Sequence, residues 1–265
     1  MSRLARWWQR TTAPRLSRAA IADALARSLA SPRLVMMHSS LSHCGTVEGG
    51  ADTVVDAAIE WVGAGTLAMP THTYGYPNAA GQAPLFDVAT TPSLTGAITE
   101  TFRRRDGVRR SVHPTHALSV RGPMAGELTS GHEQCHTPCG AGTPYAWLAD
   151  HDAAVVMFGV TLNTYTLFHT AEDAADVPYL YERVPSRLRY RAIDGAEREL
   201  LMQRQDMHVP RRFAERAAWL EARGLLRRTR LGRGELLVLP SAAQVHAAIV
   251  AELARDPWFL AYRAA

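Results

Sequence analysis

Apolar positions along the chain follow two different periods. Unbroken apolar runs at 34–37, 66–69 and 155–160 read as strands buried on both faces. Between and after them, apolar residues recur three and four apart. Ser17 caps one such stretch, with Ile21, Leu25 and Leu29 on one face and Pro32 at its end. A second starts near Asp52, carries Val54, Val55, Ala58, Ile59 and Val62, and stops at Gly63 and Gly65. The order strand, helix, strand with short connections predicts a parallel pair joined by a right-handed crossover.

Further elements follow from the same patterns. A helix is expected over 93–102, capped by Ser93, with Leu94, Ala97, Ile98 and Phe102 inward. Residues 117–121 read as a strand, 144–148 as a short helix, 210–223 as a helix stopped by Gly224, and 235–239 as a strand. Ser241 caps a last helix through Val245, Ile249 and Leu253. Strand-like runs at 187–193 and 199–205 flank Asp194-Gly195, a strong hairpin signal. The aperiodic stretch 71–92, rich in Gly, Pro and aromatics, reads as a functional loop. Together these describe one α/β domain with a β-hairpin addition in the C-terminal third.

Composition narrows the class. The 265 residues are 47% hydrophobic and 20% charged, enough for a large core. No apolar run reaches the roughly 20 residues of a membrane helix, and the N-terminus lacks a signal-peptide centre. Three cysteines fit a reducing compartment, so a cytoplasmic enzyme is expected. Residues 1–12 mix Arg with Trp7 and Trp8; this is an N-terminal arm or a segment for a membrane surface. All 29 basic residues are Arg, which removes Schiff-base chemistry and a phosphate-loop lysine. A net charge of +4 mildly favours an anionic ligand and is no nucleic-acid footprint.

Four groupings could carry chemistry. The strand at 155–160 meets a helix that starts near 167, and His169 and Glu172 lie three apart on it. Open α/β sheets place sites at such strand ends, so a His–carboxylate dyad competes with an ordinary surface pair. His132, Cys135, His136 and Cys139 offer four soft ligands, although four within eight residues would strain a zinc tetrahedron. The loop 38–50 enters a helix N-terminus beside Ser39, Ser40 and Ser42, and Arg109, Arg110 and Ser111 could add donors for an anion. Cys44 and the serines after the first strand lack a nucleophile elbow, which argues against an acyl-enzyme.

Taken together, the segments 37–57, 65–74, 86–122 and 155–179 resemble the aminoglycoside 3-N-acetyltransferases, with Arg-Ser-x-His-Pro at 110–114 and Thr-x-x-His-x-x-Glu at 166–172. The resemblance implies a three-layer α/β/α sandwich and direct transfer of an acetyl group from acetyl-CoA to an amine. It implies His169 as general base, supported by Glu172, a role that suits a group titrating near neutrality. It assigns His38, Ser39, Ser40, Leu41 and Ser42, with Thr71, Thr73, Arg110, Ser111, Val112 and His113, to the CoA thioester. Tyr74, Glu172, Asp173 and Asp206 would meet the amine. It implies no metal, no nucleic acid and no membrane partner, and it allows a homodimer. Tyr165 stands where the family usually carries Asn. The many Arg residues over 183–212 suit a neutral or anionic acceptor, such as a nucleotide-linked amino sugar or a natural-product amine, better than a polycation. A zinc-stabilised binding module around 132–139 is the reading from a different class.

Overall fold

The computed structural model describes residues 15–78, 81–232 and 234–263; Trp7, Trp8 and the arm at 1–12 lie outside the described residues. Its centre is a seven-stranded mixed sheet. In chain order the strands are β1 (Arg15–Leu16), β2 (Leu34–Ser39), β3 (Thr46–Val47), β4 (Thr66–Pro70), β5 (Leu85–Asp87), β6 (Val108–Arg110), β7 (Leu118–Arg121), β8 (Ala154–Phe158), β9 (Ser186–Arg191), β10 (Glu197–Met202), β11 (Arg227–Leu231) and β12 (Gly234–Leu239). The helices are α1 (Arg18–Ser28), α2 (Gly50–Val62), α3 (Ala97–Arg103), α4 (Ala125–Thr129), α5 (Pro144–Asp150), α6 (Phe168–Ala174), α7 (Ala217–Glu221) and α8 (Ala242–Arg255).

The large sheet runs β11-β12-β8-β2-β4-β7-β6. Its middle three strands are parallel, with Met36 opposite Val155 on one side and opposite Ala68 on the other. Both flanks are antiparallel. The apolar runs are buried on both faces because each strand alternates between two cores. Met36, Val155 and Met157 join the core built with α4, α5, α6 and α8. Val35, Met37, Val156 and Phe158 join the core built with α1, α2 and α3. The N-caps of α1 and α8 form at Ser17 and Ser241, whose hydroxyls accept from Ala20 N and Gln244 N at 3.2 and 3.1 Å.

A second sheet places β9 between β10 and β5. β9 and β10 are antiparallel and turn back through Asp194-Gly195, where Gly195 has φ 80°. β5 lies parallel to β9, so part of the supposed loop 71–92 is a strand.

Two helices differ from the pattern reading. Residues 93–96 are not helical: Leu94 N bonds His72 O at 2.7 Å, Thr95 Oγ1 bonds Pro70 O at 2.6 Å, and Gly96 has φ 112°. These contacts bind the stretch to the end of β4, so α3 starts only at Ala97 and Leu94 is exposed. Likewise 210–223 is a 3-10 turn (Phe213–Arg216) followed by α7. Arg212 N is held by Leu260 O at 3.0 Å, and Arg211 bridges Ala261, which keeps the start of the stretch extended.

Candidate active site

A cavity of ≈ 760 Å³ opens where the three parallel strands end. Ser39 ends β2, Pro70 ends β4, and the chain after β8 supplies Val160 and 163–166. That is the crevice where open α/β sheets hold ligands. The remaining wall comes from 94–96 and from 205–213 after the hairpin.

His169 projects from α6 into this cavity. Its Nδ1 lies 2.5 Å from Glu172 Oε2, and the Glu172 side chain is 0% exposed. The surface-pair reading therefore fails: the carboxylate is buried behind the histidine. A buried carboxylate requires partners. The second comes from 39 residues on, where Arg211 Nε donates to Glu172 Oε1 at 3.0 Å. Arg211 is fixed in turn by the Asp206 and Val209 carbonyls at 3.1 and 2.5 Å, and it lies over the Tyr179 ring at 4.8 Å. Phe213 packs edge-on to the His169 ring at 5.2 Å. Because a carboxylate only accepts, His169 Nδ1 donates, and Nε2 is the nitrogen directed to the cavity.

A second set of histidines surrounds the cavity without carboxylates. Tyr145 Oη donates to His116 O at 2.9 Å, so at 2.8 Å it accepts from His72 Nε2. The Tyr74 hydroxyl then donates to His72 Nδ1 at 3.3 Å. The His72 and His116 rings lie 4.5 Å apart. Burial pulls His38 and His116 down to about 3 and holds His72 well below its ordinary value, so all three are neutral at working pH. Three buried polar atoms on the wall, His38 Nε2, Ser39 Oγ and the Tyr165 hydroxyl, have no hydrogen-bond partner among the described residues. Sequence reasoning did not bring His72 and His116 together at this cavity. Both lie beyond strands whose pairing, β4 with β7, brings together residues 44 positions apart.

The structure brings His38, Ser39, Ser40, Tyr74, His169 and Asp206 to one cavity. Leu41 and Ser42 sit in the adjoining 3-10 turn, where the Ser42 hydroxyl meets that of Ser40 at 3.2 Å. Thr71, Thr73, Ser111, Val112 and His113 are buried away from the wall. Thr71 Oγ1 bonds Ala117 O, Thr73 Oγ1 bonds Pro114 O, and Ser111 Oγ bonds His132 Nδ1. Thr71 and Thr73 thus tie the loop after β4 to the loop before β7, and Ser111 ties that second loop to the turn at His132. Arg110 is spent on the Thr71 and Thr91 carbonyls at 2.8 and 2.6 Å and faces a separate recess beside Arg103 and Arg109. Asp173 turns from the cavity toward the Tyr181 hydroxyl and Ala141 N.

The other groupings do different work. Among the described residues, no group of three or more His, Cys, Asp or Glu is placed to hold a metal. His132 stacks on His113 at 4.3 Å, Cys139 is buried, and His136 reaches Leu201 O. The first turn of α2 carries Asp52, paired with Arg105 at 2.8 Å, so an anion is not favoured there. Cys44 bonds Ser40 O through Sγ, and burial pushes its thiol up to about 12, far from a reactive thiolate.

Known proteins resemble this chain in sequence and in fold. Over 167 residues, 54% of this chain and 57% of the relative, the chain is 34% identical to aminoglycoside N(3)-acetyltransferase IX of Micromonospora chalcea. It is 33% identical to aminoglycoside N(3)-acetyltransferase III of Salmonella sp over 60% of this chain and 61% of the relative. The chain thus spans about three-fifths of these relatives. Among solved structures, AAC-IIIb as a binary complex with CoASH superimposes with a TM-score of 0.80 at 25% identity, covering 95% of this chain and all of that one. A histidine-to-alanine mutant of AAC(3)-IVa in complex with a gentamicin gives 0.81 at 26% identity, over 94% and 93%. The family model described as aminoglycoside 3-N-acetyltransferase matches residues 36–251, and the chain belongs to that family.

Proposed function

We propose that this chain is an acetyl-CoA-dependent N-acetyltransferase acting on an amine of an aminoglycoside or related amino sugar by direct transfer. The carrying observation is the buried relay Arg211–Glu172–His169, which ends with His169 Nε2 at the cavity. An ammonium must lose a proton before it attacks a thioester carbonyl. His169 Nε2 takes that proton, and Glu172 stabilises the resulting imidazolium. Nitrogen–carbon bond formation and carbon–sulfur cleavage then release the amide and the CoA thiolate, which is protonated to the thiol. The unpartnered His38 Nε2, Ser39 Oγ and Tyr165 hydroxyl suit the amide and carbonyl groups of the thioester arm. Ser40 and the turn at Leu41 and Ser42 extend this side of the cavity. Asp206, on the wall beside Arg211, suits the acceptor's ammonium.

The reading treats the chain as one cytoplasmic domain, a three-layer α/β/α sandwich with a hairpin addition. Its support is the pair of apolar cores that engage alternate residues of β2 and β8. His169→Ala should lower acetyl transfer by about 10²–10⁴-fold, read as thiol release from acetyl-CoA. A rate within twofold of the parent protein would remove His169 from the base role. Retained CoA affinity in the variant would separate lost chemistry from lost binding.

A further inference from the structure

The loop before β7 holds His116 at the cavity with one ring nitrogen unengaged. The residue is buried and lines the cavity. Its backbone N–H donates to His113 Nδ1 at 2.9 Å, and its carbonyl accepts from the Tyr145 hydroxyl at 2.9 Å. The His72 ring lies 4.5 Å away and the Tyr74 ring 6.1 Å, edge-on. His116 Nδ1 meets Thr115 Oγ1 at 2.8 Å. That hydroxyl is also 3.3 Å from His113 Nδ1, which already accepts the backbone N–H groups of Thr115 and His116. The Thr115 proton therefore goes to His116 Nδ1, and the ring's own proton sits on Nε2. Among the described residues, Nε2 has no partner. Burial, deepened by His169 and His132, pulls His116 down to about 3, so the ring stays neutral and keeps that N–H.

Acyl transfer needs such a donor. When an amine attacks a thioester, the carbonyl oxygen gains negative charge, and preorganised hydrogen-bond donors aimed at it lower the barrier. The base cannot serve, because His169 Nε2 takes up the amine proton. Nor can His72, whose two nitrogens are engaged by Tyr145 and Tyr74. His169 opposes protonation of His116, whereas burial alone accounts for His38, so His116 is the free wall histidine that feels the base across the cavity. A neutral imidazole donates without surrendering its proton, and it carries no positive charge to repel the acceptor's ammonium.

We infer that His116 is a further catalytic residue, whose Nε2–H donates to the thioester carbonyl oxygen as the amine nitrogen bonds to the carbonyl carbon. The carbonyl π pair moves to that oxygen and is held there by the hydrogen bond; its return expels the thiolate. His116 keeps its proton throughout, and the amine's proton goes to His169 Nε2. This rests on the acetyl-transfer reading. Ring nitrogen shifts by NMR should show His116 of the parent protein as the Nε2–H tautomer; the Nδ1–H form overturns the inference. His116→Phe keeps an aromatic ring without the donor. Its kcat, read as thiol release with kanamycin, should fall about 10²–10³-fold. Its KM for acetyl-CoA should change less than about threefold, since the contact strengthens in the transition state. His116→Gln, whose amide supplies an N–H, should recover at least about tenfold over His116→Phe. Should His116→Phe not fold, Thr115→Val frees the tautomer and should lower kcat at least about tenfold; an unchanged rate overturns the inference. Infrared spectra of acetyl-CoA labelled with carbon-13 at the carbonyl need no acceptor. The stretch should be lowered on binding to the parent protein and restored in His116→Phe. A stretch that the variant leaves lowered overturns the inference and keeps the acetyl-transfer reading, whereas failure of acetyl-CoA to bind the parent protein overturns both.

Discussion

His169 and the pair His72 and His116 line the same cavity, yet their surroundings are opposite. His169 has a carboxylate at 2.5 Å, itself held by an arginine. His72 and His116 have a tyrosine hydroxyl, a threonine hydroxyl and each other. The Glu172 carboxylate places a counter-charge beside the His169 ring. Burial without a counter-charge favours the neutral ring at His72 and His116. The two sets thus differ in whether a counter-charge is buried with the ring.

The strongest way to break this contrast is Arg211→Ala. It leaves Glu172 fully buried with one partner, and removing one member of a buried ion pair costs about 3–5 kcal/mol. Urea denaturation should show that loss together with a fall in turnover. A silent substitution would mean that Glu172 is not held as a charge, and the distinction between the two sets would vanish. Acid should act on the other set. His38, His116 and His132 titrate near 6.5 when unfolded but are pulled down to about 3 in the fold. Below pH 6.5 the unfolded chain binds protons that the folded chain refuses, so stability present above that pH is lost progressively as pH falls toward 3. Each such histidine contributes about 1.4 kcal/mol per pH unit in that window. Unfolding monitored between pH 7.5 and 5 should show a slope of more than one proton. A flat profile would contradict their neutral burial.

Local signals in the sequence were sound where one segment determined the outcome. The apolar runs at 34–37, 66–69 and 155–160 became the central parallel strands, and Ser17 and Ser241 became caps. His169 and Glu172 were visible because a helix brings i and i+3 together. What decided their role was not visible: Arg211 arrives from a stretch that reads as helix but is pulled straight by Leu260 and Ala261. The segment 110–113 carried a motif, but its Ser111 and His113 side chains are fully buried, and Ser111 N and Oγ pair with Leu118 across the turn. The strand at 85–87 was hidden for the same reason, since its partner lies about a hundred residues away. Long-range pairing erased local periodicity in each case.

The smallest expected effect sharpens the contrast most directly. Tyr145→Phe removes one hydroxyl that accepts from His72 Nε2 and donates to His116 O. The ring is 0% exposed and keeps its packing, so the change deletes hydrogen bonds without making a cavity. A buried donor and a buried carbonyl lose their partner, at a cost of about 1–3 kcal/mol. Stability should fall by that amount in urea melts. The Nε2–H tautomer of His72, fixed by this hydroxyl, should give way to a mixture, visible in the ring nitrogen shifts by NMR. The His169–Glu172 pair shares no hydrogen bond with Tyr145, so the pH profile of acetyl transfer should keep its midpoint. A shifted midpoint would show that the two histidine sets exchange charge, and that the cavity titrates as one unit.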